Sequence, residues 1–486
     1  MSILAEQIET ARRVDTLSVE GRVHSAAGLT VQAVGFPAPV GSMCEIMTGP
    51  RRSVRAEVIG FQRDITLLMP LEETEGLAKG QRIRHLTSSQ KSPVGPSLLG
   101  RVVNALGAPI DGKGPLPVDS YYPVYRAAPE AMGRPRIDAP LSVGIRSINA
   151  MTTIGLGQRI GVFAGTGVGK SVLLGMMARY TSADISVIAL VGERGRELQD
   201  FIVKDLGTEG MKRSVVVVST SDESPPLRMR ATFTATAIAE YFRDQGANVL
   251  LLVDSITRMA MAARQIGLAA GEPPATKGYP PSVFAAMPRL LERSGRTERG
   301  SITGLYTVLV ESDDMNEPIA DAARGILDGH IVLSRKLAQR SQYPAVSVLE
   351  SLSRVMPDVI DAEHLLAAQR VKRLLAVWDE IEDLVNIGAY APGTNPEFDL
   401  VIRMRPAIEE FLKQAVGQCV DFDKAREALL ALSAAMDKAP QDSNKTTQQA
   451  PASMSSPKRA PNPATGAPRG RAAGPVARPA MKPAPR

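Results

Sequence analysis

The amino-acid sequence predicts an α/β protein in three folded parts: a small N-terminal β-barrel, a central domain with a mostly parallel sheet, and a helical C-terminal domain. Three observations predict it. Between about Gly21 and His85, short apolar stretches such as LTVQAVGF, SMCEIM, AEVIGF and ITLLMP are broken by glycine, proline or charge every ten residues or so, the rhythm of a small all-β domain. From about Gln158 to Arg354, apolar runs of strand length (RIGVFA, ISVIALV, SVVVVST, NVLLLVD, TGLYTVLV) alternate with helical stretches (SVLLGMMARY, PPLRMRATFTATAIAEYF, SVFAAMPRLLER). Strands this apolar are buried on both faces, as in a parallel sheet covered by helices. From about Ala362 to Met436, apolar residues recur at i, i+3, i+4, as in HLLAAQRVKRLLAVWDEIEDLV, which indicates helices.

These changes of pattern place the barrel at residues 21–92, the central domain at 93–360 and the helical domain at 361–438. Two flanking segments read differently. In residues 1–20, Ile3, Leu4, Ile8 and Ala11 recur at helical spacing, so the segment is an amphipathic helix that is either frayed or a docking handle. Residues 439–486 are rich in proline, alanine, serine and glycine with almost no large apolar side chain. They have too little to bury to offset chain entropy and are expected to be disordered.

Composition excludes several classes of function. Hydrophobic residues make up 44% and charged residues 22%, the balance of a soluble globular protein. No uninterrupted apolar run approaches the ~20 residues needed to span a bilayer. The start, MSILAEQIETARR, lacks the apolar core and cleavage site of a secretory signal, so a cytoplasmic address is expected. Cys44 and Cys419 have no CxxC partner and read as two small buried hydrophobes rather than a disulfide or zinc ligands. His24, His85, His330 and His364 are too scattered for metal-ligand spacing and read as structural. The net charge of +6 belongs to the tail: from Gln441 onward there are eight Lys/Arg and one acid, and the preceding 440 residues sum to −1. Basicity therefore marks no nucleic-acid groove.

The strongest chemical signal is Gly161-Val-Phe-Ala-Gly-Thr-Gly-Val-Gly-Lys-Ser171, an apolar strand running into a glycine-rich turn and then a helix beginning at Lys170. Glycines at 165, 167 and 169 let backbone N–H groups point inward as an anion nest, and the helix N-terminus adds partial positive charge. Gly165, Thr166, Gly167, Val168, Gly169, Lys170, Ser171 and Val172 form this candidate phosphate loop. Lys170 would reach the β- and γ-phosphates of ATP, and the Ser171 hydroxyl would coordinate Mg²⁺. Ala164 stands where the strict GxxxxGK[ST] pattern has glycine. A magnesium carboxylate is expected on a neighbouring strand, and NVLLLVDSITR supplies Asp254 directly after five apolar residues. Taken alone, Asp254 reads equally as a cap for the helix that follows. Glu193, in ALVGERGRELQD, follows the next apolar strand. Ligands of doubly wound sheets gather at strand carboxyl ends, which makes Glu193 a candidate to polarise water, against the plainer reading of a surface glutamate in a charged loop.

Longer motifs carry a family resemblance. GRVVNALGAPIDGKGPLP, PLSVGIRSINAMTTIGLGQRIGVFAGTGVGKS, ALVGERGRE, LLLVDSITRMA, GEPPATKGYPPSVF and SVLESLSRV resemble the hexameric ATPase family that contains the rotary ATP synthase catalytic subunit. Within it, the chain is most similar to the ATPases of type III protein export, flagellar before virulence-type. The resemblance covers about residues 20 to 435, tolerates Ala164, and implies a RecA-like P-loop core. Carried over to matching positions, it makes Glu193 the catalytic glutamate and Asp254 the magnesium-site aspartate. Arg194 becomes an arginine near the γ-phosphate and Glu197 a further carboxylate at the metal. Arg354, in SLSRV, matches the arginine finger inserted into a neighbouring subunit's site. Tyr343, in YPAV, matches the aromatic that stacks on adenine, and Phe411, in FLKQ, a second adenine contact.

The resemblance implies a homohexamer that hydrolyses Mg-ATP to energise delivery of export substrates. It also implies a stator-like partner at the N-terminal helix, a stalk-like coiled-coil protein in the pore, an export gate in the membrane, and chaperone–substrate complexes, with the ring peripheral at the inner face of the cytoplasmic membrane. Noncatalytic nucleotide-binding subunits of the family have glutamine at the position of Glu193. The stretch IEDLVNIGAYAPGTNPEFD (Ile381–Asp399) stands where the synthase subunit has an acidic loop. An RNA-translocating hexamer would need a barrel with stacking aromatics and basic residues, whereas Phe36 and Phe61 are the only aromatics between Gly21 and His85.

Overall fold

The computed structural model describes residues 19–118, 120–310 and 314–437. The tail expected over 439–486, and all but the last two residues of the helix expected over 1–20, lie outside these; Glu20 already opens a strand.

Six strands form a closed barrel: β1 (Glu20–Ala27), β2 (Thr30–Val34), β3 (Met43–Gly49), β4 (Arg52–Gln62), β5 (Ile65–Pro70) and β6 (Arg82–Thr87), in the order β1-β2-β5-β4-β3-β6. Alternation decides which face turns inward. In β4, Val54, Ala56 and Val58 are buried while Arg52, Ser53 and Arg55 are exposed. Phe36 is buried in the barrel and Phe61 is exposed. Cys44 lies in the barrel core, as expected; Cys419 is exposed, correcting its reading as a buried hydrophobe, because it sits in the loop ahead of the last helix rather than on an apolar face.

A two-stranded ribbon (Lys91–Val94 with Ser120–Pro123) follows, and then the central sheet. Its main path is β7 (Arg101–Asn104), β8 (Arg159–Ala164), β9 (Ile185–Glu193), β10 (Ser214–Thr220), β11 (Asn248–Asp254), β12 (Ser301–Leu309), β13 (Gly329–Leu333) and β14 (Val346–Ser353). The order across the sheet is β14-β13-β8-β12-β11-β9-β10-β7, with a two-residue strand, Gly295–Arg296, pairing antiparallel to β12. Along the main path every pairing is parallel except β13 with β14. Alternate residues feed two separate cores. Val187, Ala189 and Val191 of β9 face the helices Pro225–Asp244 and Ile256–Ala269, and Ile188 and Leu190 face the helix Lys170–Tyr180. That two-sided burial is why these strands read as unbroken apolar runs.

One ion pair is sealed inside this domain. Arg293 donates from Nε and Nη2 to both oxygens of Glu240, at 2.9 and 2.8 Å, and from Nη1 to the Val124 carbonyl at 2.6 Å. The two side chains are 0% and 1% exposed.

The helical domain comprises Ala362–Asn386, Pro396–Leu412 and Phe422–Met436. Each begins at a side-chain cap: Asp361, Asn395 and Asp421 accept from the backbone N–H of His364, Glu397 and Lys424. Such caps satisfy donors that the first turn leaves open, each contributing ~1 kcal/mol. The apolar stripes, including Val371, Leu375, Met404, Ile408 and Leu429, meet in one core against Met151 and Val348 of the central domain.

Candidate active site

β8 ends at Ala164, and the chain turns through Gly165–Gly169 into the helix Lys170–Tyr180. Gly169 is left-handed (φ 89°), and a Cβ there would lie 3.5 Å from the Tyr343 ring, so the aromatic rests directly against the loop. The loop's nearest carboxylates arrive from other strands. Lys170 Nζ is 2.5 Å from Asp254 Oδ1, at the end of β11, and 3.7 Å from Glu193 Oε1, at the end of β9. The lysine and the two carboxylates expected to share one triphosphate tail therefore meet in one place, all three side chains nearly buried.

The path across the sheet differs from the expected one. Asp254 is not on a strand adjacent to the loop's strand: β12 lies between β8 and β11, and β9 lies one strand further. Lys170 spans the gap over the end of β12. That intervening strand contributes Thr307, whose hydroxyl donates to Asp254 Oδ1 at 2.7 Å. With both Lys170 and Thr307 on Oδ1, the carboxylate is held in one orientation.

Glu193 is aimed by a bulge. Val191 pairs with Ser219 and Glu193 with Thr220, so two residues of β9 oppose one of β10, with Gly192 left-handed at φ 69°. A Cβ on Gly192 would lie 2.8 Å from Cδ of Arg258, so glycine is needed both for the turn of the backbone and for the passage of that arginine. Arg258, in the first turn of the helix Ile256–Ala269, clasps Glu193: Nε lies 3.2 Å from Oε1 and Nη2 donates to Oε2 at 3.4 Å. Burial pushes the Glu193 carboxyl above the usual carboxylate range. Lys170 and Arg258 oppose that rise, and Asp254 and the neighbouring Glu197 add to it. A carboxylate made more basic in this way, beside the lysine of a glycine-rich loop, is suited to taking a proton from water.

Arg194 and Glu197 lie outside the lysine cluster. They pair with each other at 3.6 Å at the start of the helix Gly195–Asp200, which Arg194 precedes, with side chains 81% and 54% exposed, and of the two only Glu197 reaches Glu193. Tyr343 lines an open groove of about 430 Å³ together with Gly167, Gly169, Val172, Pro344 and Val416. Phe411 does not line it. Its ring is buried in the helical core, with the Arg146 guanidinium 5.5 Å above it, because the helix Pro396–Leu412 turns that position inward. The helical-domain wall of the groove is made instead by Gln414, Ala415 and Val416 of the following loop.

Arg354 is at the far end of the sheet. Its N–H donates to the Asp328 carbonyl, and Asp328 bonds to Arg159, at the start of the strand whose other end carries the loop. Register pairs Gly161 with His330 and Ala164 with Leu333. Arg354 therefore lies five strand residues back from the loop, ~16 Å at 3.3 Å per residue. Its side chain is exposed.

Two residues at the site were not singled out from the sequence. Arg258 stands four positions after Asp254, one helical turn, which would have flagged it as facing the same cluster. Thr307 is the polar residue inside the otherwise apolar run GLYTVLV.

The donor set suits magnesium. Among the described residues no three His, Cys, Asp or Glu side chains converge as a metal cage. Asp254, a buried carboxylate, meets Lys170, the residue that precedes Ser171 in the chain. Magnesium takes one or two protein oxygens and completes its shell with water and substrate phosphates.

Comparison with known proteins agrees with this architecture segment by segment. Residues 144–353 match the ATP synthase alpha/beta family, nucleotide-binding domain; residues 23–86 match the beta-barrel domain of the same family; residues 360–431 match the T3SS EscN ATPase C-terminal domain. The chain is 50% identical over 431 residues to a flagellum-specific ATP synthase of Bacillus subtilis (strain 168), covering 87% of this chain and 98% of that protein. It is 48% identical over 425 residues to a type 3 secretion system ATPase of Xanthomonas euvesicatoria, covering 87% and 96%. Among solved structures it superposes on the assembled ATPase EscN of the enteropathogenic E. coli type III secretion system, with TM-score 0.81 and 44% identity over 85% of this chain and all of that one. EscN in complex with its central stalk EscO gives TM-score 0.79 and 43% identity, with the same coverage.

Proposed function

Because this chain belongs to the ATP synthase alpha/beta family, in the branch of the flagellum-specific ATP synthases and type 3 secretion system ATPases, we propose that it is the ATP hydrolase of a flagellar type III protein-export apparatus. It is an ATPase. The observation that carries the mechanism is the meeting of Lys170, Glu193 and Asp254 at the carboxyl ends of three strands.

Adenine stacks on Tyr343 in the groove beside Val172, and the backbone of Gly165–Gly169 cradles the phosphates. Lys170 leaves its carboxylate contacts for the β- and γ-phosphoryl oxygens. Ser171 and Asp254 would hold Mg²⁺, which when bound neutralises charge on those oxygens. Glu193, with its raised proton affinity, orients the attacking water and takes its proton. Arg258 keeps that carboxylate facing the phosphate and ionised. Arg194 and Glu197, on the exposed helix beside it, close over the γ-phosphate side when the site fills.

Arg354 is too far from its own loop to act there, so the arginine that stabilises transition-state charge comes from the next subunit, worth ~10³–10⁵ in rate. The working form is therefore a homohexameric ring. EscN, assembled and in complex with a central stalk, supports this arrangement and a stalk-like partner, which we read as a coiled-coil protein in the pore. Among the described residues no helix is long and apolar enough to cross a membrane. The ring works at the cytoplasmic face of the membrane, beside the export gate, receiving chaperone–substrate complexes and a stator-like regulator at residues 1–20.

Glu193→Gln tests the reading. It should keep nucleotide binding and lose both phosphate release and motility. Turnover near the wild-type rate would remove Glu193 from the mechanism. Loss of turnover with motility intact would point away from the flagellar pathway and toward a virulence-type one.

A further inference from the structure

Tyr343 is not carried by a regular element. It follows the short helix Arg335–Gln339 through a turn at Arg340–Gln342 in which Ser341, a non-glycine residue, is left-handed at φ 55°. Backbone bonds from Ser341 N to the Ala338 carbonyl and from Gln342 N to the Leu337 carbonyl, each 3.0 Å, set its shape. Strained conformations of this kind persist only where the surroundings over-determine them. A cavity of about 220 Å³, lined by Leu337, Gln342, Leu375, Asp379 and Leu412 among others, lies between the turn and the helical domain.

One buried carboxylate spans that gap. Glu382, on the helix Ala362–Asn386, accepts from Arg340 Nη1 at 2.6 Å on one oxygen and from Lys336 Nζ at 2.9 Å on the other. Lys336 lies on the helix that leads into the turn, and Arg340 is the turn's first residue. Arg340 first, and then Lys336, hold the Glu382 carboxyl down to about 2, so the clasp stays charged throughout the neutral range. A second tie, from Gln414 N to the Tyr343 carbonyl at 2.9 Å, is backbone only.

We propose that Glu382 is a positioning residue for nucleotide binding: by clasping Lys336 and Arg340 it fixes the turn that presents Tyr343 to the base groove. The inference rests on the reading of Tyr343 as the adenine platform.

The test uses the full chain and separates base from phosphate. Affinities for ATP and for inorganic tripolyphosphate, with magnesium, are measured beside kcat and KM for wild type, Glu382→Gln, the paired variant Lys336→Gln with Arg340→Gln, and Tyr343→Ala. Losing two charge-assisted bonds that order the base platform should raise KM for ATP about tenfold. kcat at saturation and tripolyphosphate affinity should stay close to wild type. The paired variant, which removes the clasp from its other side, should give the same split. Equal weakening of ATP and tripolyphosphate, or an unchanged KM in both clasp variants, overturns the inference. If Tyr343→Ala shows the split and Glu382→Gln does not, the clasp alone is wrong. If Tyr343→Ala shows none, the base-groove reading falls and the inference with it.

Discussion

Replacing Arg258 by glutamine should move the acid limb of the pH–rate profile. Glu193 is nearly buried, and burial alone raises its carboxyl; Arg258 is one of two cations that pull it back down. A guanidinium centred about 4 Å from a carboxylate contributes about 4 kcal/mol at an effective dielectric near 20. Arg258 has a side chain 33% exposed, and Lys170 stays in place. We therefore expect about a third of that interaction to survive screening, about 1.4 kcal/mol. The sign follows from the direction of the shift. Glu193 must be ionised to accept a proton, so activity is present above its folded-state pKa and lost as pH falls through it. Removing Arg258 raises that pKa further, and the acid limb should move toward neutrality. The assay is phosphate release across about pH 5 to 8, fitted as kcat/KM, which reports the free enzyme. A profile lowered by the same factor at every pH would refute the argument, since Arg258 would then act on substrate rather than on Glu193.

Three further outcomes are expected. Arg293→Met leaves Glu240 buried without its partner and should destabilise the chain by about 3–5 kcal/mol in urea unfolding; adding Glu240→Leu should recover most of that loss, and a double variant as unstable as the single one would contradict it. Gly192→Ala places a Cβ 2.8 Å from the Arg258 side chain at a left-handed position, which should disturb the aim of Glu193 and lower kcat about tenfold, with unaltered turnover as the contrary result. Lys170→Ala and Arg354→Ala should each be inactive alone, yet a mixture of the two should regain activity, because a Lys170→Ala subunit still offers its arginine to an intact loop next door; a mixture no better than its parts would argue that the finger serves its own chain.

Much of this was legible in the sequence. The five most apolar runs became inner strands of the sheet, because burial on both faces leaves no room for polar residues. The strands Arg101–Asn104, Gly329–Leu333 and Val346–Ser353 were not singled out. They lie toward the two sides of the sheet, are shorter or mixed in polarity, and β14 exposes Leu349, Glu350 and Leu352. Lys170, Asp254 and Glu193 drew attention because two of them end apolar strands and the third opens the helix after a glycine-rich turn. What sequence adjacency could not convey was the order of strands: β12, far downstream, slides between β8 and β11 and brings Thr307 with it. Phe411 lies away from the groove for a local reason, since a family position says little about which side of a helix faces the core, and the stripe of Met404, Ile408 and Phe411 turns it inward. The clasp at Glu382 joins residues more than forty positions apart, with no periodicity to announce it.

On the proposed reading of Arg354 as a residue that serves a neighbouring copy, its place at one end of the sheet, with the glycine-rich loop at the other, gives each copy a donor side and an acceptor side. Copies lined up head to tail in an open arc of n leave one loop without its arginine and one arginine without a loop, so n − 1 centres are complete. Only a closed circuit makes the count equal to n, and breaking a single joint anywhere removes one centre while leaving the others whole. Such a machine reports the integrity of its own assembly as a step in output.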